Sequence, residues 1–147
     1  QKFLKMRSDL GITLMPLSGE VGTYEFLKQA VLDGKVVALL GDRDVAGTGM
    51  SNEFFGAKAT MPIGAAVLAI DTNAPLFTCA TWYDGDQMVI DFDRPIEYEK
   101  IQVTGRERIR KAQEISGLVA KRFEKHIAAH PENWHMLQKI WPDLEAK

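Results

Sequence analysis

Hydrophobic positions along this chain change period several times, and each change marks an element. In QKFLKMRSDLG, Phe3, Leu4 and Met6 stand among charged residues as the last turns of a helix would, and Gly11 is placed to end it. Residues 12–16, ITLMP, are a short apolar run that predicts a strand. From Thr23 the apolar residues Phe26, Leu27, Ala30 and Val31 recur at helical spacing, with Gly34 where a C-terminal cap belongs. VVALL at 36–40 is then continuously apolar, the pattern of a strand covered on both faces. Strand, helix and buried strand together predict a βαβ unit.

Past that unit, NEFFG is a short, bulky apolar segment, and Pro62 opens a predicted helix, IGAAVLAIDTN, whose small residues would let it lie close to a sheet. LFTCATWY and MVIDF predict two strands joined through Asp84-Gly85-Asp86, which carries the Asp-Gly signal of a hairpin. A long helix is expected over roughly 104–129, with Ile109, Ala112, Ile115, Leu118, Phe123 and Ile127 along one stripe. Pro131 begins a last predicted helix, ENWHMLQKIW, in which Trp134, Leu137 and Trp141 share a face suited to core packing. No internal repeat or low-complexity tract interrupts the series. The fold class predicted is α/β.

Composition narrows this picture without redirecting it. The 147 residues suffice for one domain with a proper core. With 46% apolar and 26% charged residues the balance is that of a soluble globular domain. A net charge of −2 offers no basic footprint for nucleic acid, so none is expected as a partner. No segment approaches the roughly 18 apolar residues of a membrane span. Cys79 is the single cysteine, which excludes an internal disulfide and points to a reducing compartment. The opening reads as mid-helix and carries neither a starting Met nor a signal peptide, so we expect a cut-out from a longer protein.

Candidate chemistry concentrates in VVALLGDRDVAGTG. Asp42-Arg43-Asp44 follows the predicted buried strand, and the ends of parallel strands are where α/β proteins bind ligands. The competing interpretation is a solvated surface loop in which Arg43 pairs with a neighbour. A Walker-type phosphate loop is excluded, because Gly41 and Gly47 are wrongly spaced and no Lys follows. The run Asp-Arg-Asp-Val after an apolar strand also resembles the signature of haloacid-dehalogenase-like phosphohydrolases, with Asp42 and Asp44 as the working carboxylates. Their later acidic pair is not evident, since Asp84 and Asp86 fall in a predicted hairpin turn. His126, His130 and His135 cluster near the C-terminus, but Pro131 interrupts their helix and no Glu follows His126 as in H-E-x-x-H. Surface or helix-end positions suit them, and no metal site is expected. Cys79 lies mid-strand among apolar residues, a setting for packing rather than nucleophilic catalysis.

As an ensemble, GDRDVAGTGMSNEFFGAKATMPIGAAVLAIDTNAPLFTCATW resembles the C-terminal half of the lysophospholipid-acyltransferase superfamily. Within it the similarity is to lipid A acyltransferases and actinobacterial phosphatidylinositol-mannoside acyltransferases. The shared order is an apolar strand, Gly or Pro, an acidic residue, Arg or Gln, Asp, a glycine-bearing loop, Phe-Phe-Gly and a small-residue helix opened by Pro. HPENWHMLQKIW resembles the closing segment of the same family, and the acidic residue of GDRD with the Glu of NEFFG favours the mannoside branch.

This resemblance implies that residues 1–147 are the C-terminal portion of a single acyltransferase domain, a sheet with helices on both faces lacking its N-terminal half. It implies transfer of a fatty acyl group from acyl-CoA or acyl carrier protein to a hydroxyl of a membrane glycolipid, with no other cofactor. The family's catalytic His has an acidic residue five positions on, whereas Pro131, His135 and Ile140 stand there for this chain's histidines. The base is therefore expected outside the chain, and the isolated chain should be inactive. By the same resemblance Asp42 is the acidic residue beside that His, Arg43 and Arg7 meet phosphates of donor or acceptor, and Asp44 holds the loop. Phe54 and Phe55 wall the acyl path or fill core. The implied location is the cytoplasmic side of the membrane, and the cut edge invites self-association. A lipid-binding module without catalysis is the remaining alternative.

Overall fold

Two helices near the start of the chain owe their ends to glycine. The structure, a computed structural model, describes residues 2–14, 22–45, 47–100 and 102–143. Helix α1 spans Lys2–Asp9 and α2 spans Thr23–Leu32. Each closes with a paired set of backbone bonds around a glycine at positive φ, Gly11 at 76° and Gly34 at 79°. Gly11 and Ile12 donate to Ser8 and Arg7 carbonyls at 2.9 and 3.0 Å; Gly34 and Lys35 donate to Val31 and Ala30 at 3.0 and 2.9 Å. Both are Schellman closures, which satisfy carbonyls that a helix end leaves orphaned.

The strands flanking α2 depart from the sequence expectation. Ile12 is drawn into the α1 closure, residues 12–14 enter no ladder, and Met15 and Pro16 lie outside the described residues. VVALL also pairs with no strand among the described residues, and Val36 is 96% and Leu40 67% exposed. An apolar run specifies that something should cover it, not which segment does. The predicted βαβ unit is therefore not formed among the described residues, where the strands pair antiparallel.

Met50–Phe54 (β1) and Ala57–Met61 (β2) make a hairpin in full register, Met50 opposite Met61 and Phe54 opposite Ala57. Its two-residue turn is Phe55-Gly56, both at positive φ, an arrangement ordinarily left to Asn-Gly. A bulky residue strains that backbone. The Phe55 amide is held by the Glu124 carboxylate at 2.7 Å, and its ring packs edge-on to Phe54 at 4.8 Å. Helix α3, Gly64–Thr72, buries Ala66, Val67, Leu68 and Ala69 in succession and contacts both α2 and the long helix. Burial on every side follows from small and apolar residues all round the helix.

The second hairpin matches expectation: β3 is Cys79–Asp84, β4 is Gln87–Phe92, and the turn is Gly85-Asp86. Its burial does not match. Tyr83, Met88, Ile90 and Phe92, on one face, are all more than half exposed. Helix α4 runs Gly105–Ala129 and buries Ala112, Ile115, Ser116 and Ala120, while Leu118 faces outward at 46%. The last predicted helix shortens to one 3-10 turn, Pro131–Asn133, and Leu137 is exposed. Instead of a helix face, the closing segment lays Trp134 and Trp141 on Phe54 and donates nothing to a helical ladder beyond that turn. Its Ile140 carbonyl accepts the Thr60 amide at 3.0 Å, tying the segment to β2.

The core forms two clusters joined along α4. One gathers Phe54, Ala59, Met61, Ala120 and Ile140; the other gathers Ala66, Val67, Ile96, Ala112 and Ile115. This mixed architecture of helices and strands is a partial α/β domain.

Candidate active site

The GDRD loop is fixed from two directions. At Gly41 it lies so close to α4 that a Cβ would come within 2.9 Å of the Phe123 ring. Beyond it, Asp44 accepts the amides of Thr48 and Gly49 at 3.3 and 2.7 Å, closing the glycine-bearing loop on itself. Gly49 is required by close approach: a Cβ there would stand 2.6 Å from the Met61 carbonyl oxygen and 2.8 Å from Asp44 Oδ2. Asp44 thus closes the loop through backbone amides.

Asp42 occupies the centre of this arrangement. Arg43 donates to it from Nε and Nη2 at 3.1 and 2.7 Å, and Trp134 donates from Nε1 to Oδ2 at 3.1 Å. Arg43 Nη2 also donates to the His135 carbonyl at 3.1 Å. Adjacent residues of the closing segment, 92 positions downstream, therefore grip adjacent residues of the loop. Burial raises the Asp42 carboxyl pKa, but the bonds from Arg43 and Trp134 outweigh it and hold the group below its ordinary value. The charged carboxylate accepts three donors on about four lone-pair positions, leaving capacity for one more donor.

Arg7, Arg43 and Asp44 line one cleft of about 920 Å³, together with Phe26, Leu39 and Val119. The aromatic candidates separate: Phe54 has no exposed surface and belongs to the core, whereas Phe55 is 44% exposed. Arg43 is spent largely on Asp42 and His135, so the surface-loop interpretation was right about its pairing.

Three pairings had no counterpart in the sequence expectations. His126 stands in the last turn of α4, a helix-end position as expected, but its side chain is 11% exposed and meets Asp93 at 2.8 Å, with Thr78 donating to the same carboxylate at 2.6 Å. His130 stacks on Trp82 with ring centroids 4.3 Å apart. Arg108 donates to Asp71 at 2.6 Å, Tyr24 also bonds Asp71, and the knot ties α2, α3 and α4 together. Burial first, then the bond to Asp71, pushes the Tyr24 hydroxyl up to about 12. Among the described residues no group of three or more His, Cys, Asp or Glu is placed to hold a metal ion. No helix among them is long and apolar enough to cross a membrane.

The profile described as "Bacterial lipid A biosynthesis acyltransferase" matches residues 1–142. The chain belongs to that family. Its phosphatidylinositol mannoside acyltransferase relatives include those of Mycobacterium tuberculosis strains H37Rv and CDC 1551, each 35% identical over 142 residues. The relative from Mycolicibacterium smegmatis, with the same description, is 33% identical over 142 residues. These alignments cover 96% of this chain but only 42–44% of the relatives. The lipid A and mannoside branch recognised from the motif order is thereby established, and the phosphohydrolase alternative is not favoured. Membership assigns the loop and the closing segment to one acyltransferase framework.

Proposed function

We propose that this chain is the C-terminal portion of an acyltransferase domain that moves a fatty acyl group from acyl-CoA or acyl carrier protein to a hydroxyl of a membrane glycolipid. A phosphatidylinositol mannoside or a lipid A precursor is the acceptor class. The match across residues 1–142 carries this reading, because it places the GDRD loop and the closing segment in one family framework.

In that reaction a His outside the chain takes the proton from the acceptor hydroxyl. The oxygen then attacks the thioester carbonyl, and the thiolate departs with a proton. Asp42, charged and with acceptor capacity to spare, orients the imidazole and stabilises its protonated form. Arg7 and Arg43 line the same cleft, where guanidinium groups suit phosphates of donor or acceptor. Exposed Val36 and Leu40, and the open face of the second hairpin, support a domain completed by further chain or by a second copy. Work at the cytoplasmic membrane surface fits the acceptor class.

The test is Asp42→Asn in the protein that includes the residues preceding this chain. Acyl transfer should fall by about two orders of magnitude or more while folding is retained. Near-normal turnover would remove Asp42 from the reaction.

A further inference from the structure

We infer that Trp134 is a positioning residue for Asp42: its indole N–H fixes the rotamer of the carboxylate that serves the catalytic base. This rests on the acyltransferase reading of Asp42 and adds to it a residue from the far end of the chain.

Three observations converge on Trp134. Its Nε1 donates to Asp42 Oδ2 at 3.1 Å, the same oxygen that takes Arg43 Nη2 at 2.7 Å. Its ring has little freedom, being set against Phe54 at 6.0 Å, Phe55 at 6.5 Å and Trp141 at 6.2 Å. The neighbouring His135 carbonyl accepts at 3.1 Å from Arg43 Nη2, the same nitrogen that donates to Asp42, so the loop and closing segment are registered at two points. Indole is a donor only, which suits it to a partner that must remain a carboxylate.

The chemistry explains why the donor matters. A carboxylate that orients an imidazole acts through direction, and an error of a few tenths of an ångström misaims the base. Arg43 is an adjacent-residue partner on a long side chain, tied beyond Asp42 only to the His135 carbonyl among the described residues. A rigid indole anchored in the Phe54 core cannot follow the carboxylate, and it selects one rotamer. NEFF and the closing HPENW are thereby coupled: the core phenylalanine holds the indole, and the indole holds the carboxylate.

Trp134→Phe and replacement by 3-benzothienylalanine both remove the donor, and the second keeps the bicyclic shape. In the full-length enzyme each should lower kcat about tenfold, as loss of a hydrogen bond to a charged group implies. KM for acyl donor and for acceptor should stay within about twofold, and thermal stability of the benzothienyl protein should match wild type. Independently of turnover, the Trp134 indole proton resonance should move upfield in Asp42→Ala. Loss of activity in Asp42→Asn with normal kcat in both Trp134 proteins would overturn the inference and leave the Asp42 reading intact. Full activity in Asp42→Asn would sink that reading instead. An indole resonance unmoved by Asp42→Ala would show that the contact does not exist in solution.

Discussion

Phe54→Ala separates the two roles that the sequence leaves open for this residue, core filler or wall of an acyl path. The side chain has no exposed surface, and its ring lies 4.8 Å from Phe55 and 6.0 Å from both Trp134 and Trp141. A buried aromatic removes about 150–250 Å² from water. At about 25 cal/mol per Å² that is worth about 4–6 kcal/mol, an upper bound because unfolded chains already bury some apolar surface. Core Phe→Ala changes cost about 3–5 kcal/mol, the cavity included, and we expect that range here. With a urea slope of about 1–3 kcal/mol per M, the midpoint should drop by about 1–5 M. Trp134 and Trp141 border the site, so their fluorescence reports the transition locally. Phe54→Leu, which keeps most of the volume, should shift the midpoint less. An unchanged midpoint accompanied by an altered preference among acyl chains would refute the core assignment and place Phe54 on the substrate path.

Two further outcomes follow from the same geometry. Gly49→Ala should destabilise by about 1–3 kcal/mol in chemical denaturation, since its Cβ meets the Met61 backbone at 2.6 Å, whereas Gly64→Ala should be neutral or stabilising by up to about 1 kcal/mol. Equal effects of the two would show that the approach of β2 to the loop is wrong. Burial raises the Asp93 pKa, but bonds from Thr78 and His126 hold it below the ordinary 3.8. A depressed carboxyl pKa contributes stability that is complete above about pH 4 and is lost as pH falls through the folded-state value. Asp93→Asn should therefore lower the melting temperature at neutral pH and flatten its decline below about pH 4. Parallel melting curves for both proteins from pH 3 to 7 would remove Asp93 from the acid response.

Much of the chain was legible because its signals are local. Gly11 and Gly34 sit within five residues of the carbonyls they help satisfy, so the ends of α1 and α2 follow from sequence. The Asp84-Gly85-Asp86 run marks the hairpin, whose two-residue turn Gly85-Asp86 lies directly between the strands it joins, and the periodicity of 105–129 fixes α4. The first hairpin was missed although Met50, Asn52 and Phe54 alternate with more exposed Ser51 and Glu53, because Phe55-Gly56 lacks the usual turn chemistry. Its strained turn is held by Glu124 from α4, a contact that no local window contains.

Sequence by itself determined the acyltransferase family, the α/β class, the main helices, the second hairpin and the loop around Asp42. Tertiary structure alone decided which apolar residues are covered: Leu118 and Leu137 share the stripe periodicity of buried neighbours yet face outward, and Val36–Leu40 finds no strand partner among the described residues. It alone brought Trp134 to Asp42 and Asp93 to His126, across 92 and 33 positions. Periodicity states that a surface wants burial, whereas its partner depends on the closure and packing of the intervening chain. Those long-range terms select among contacts that a local pattern leaves equivalent.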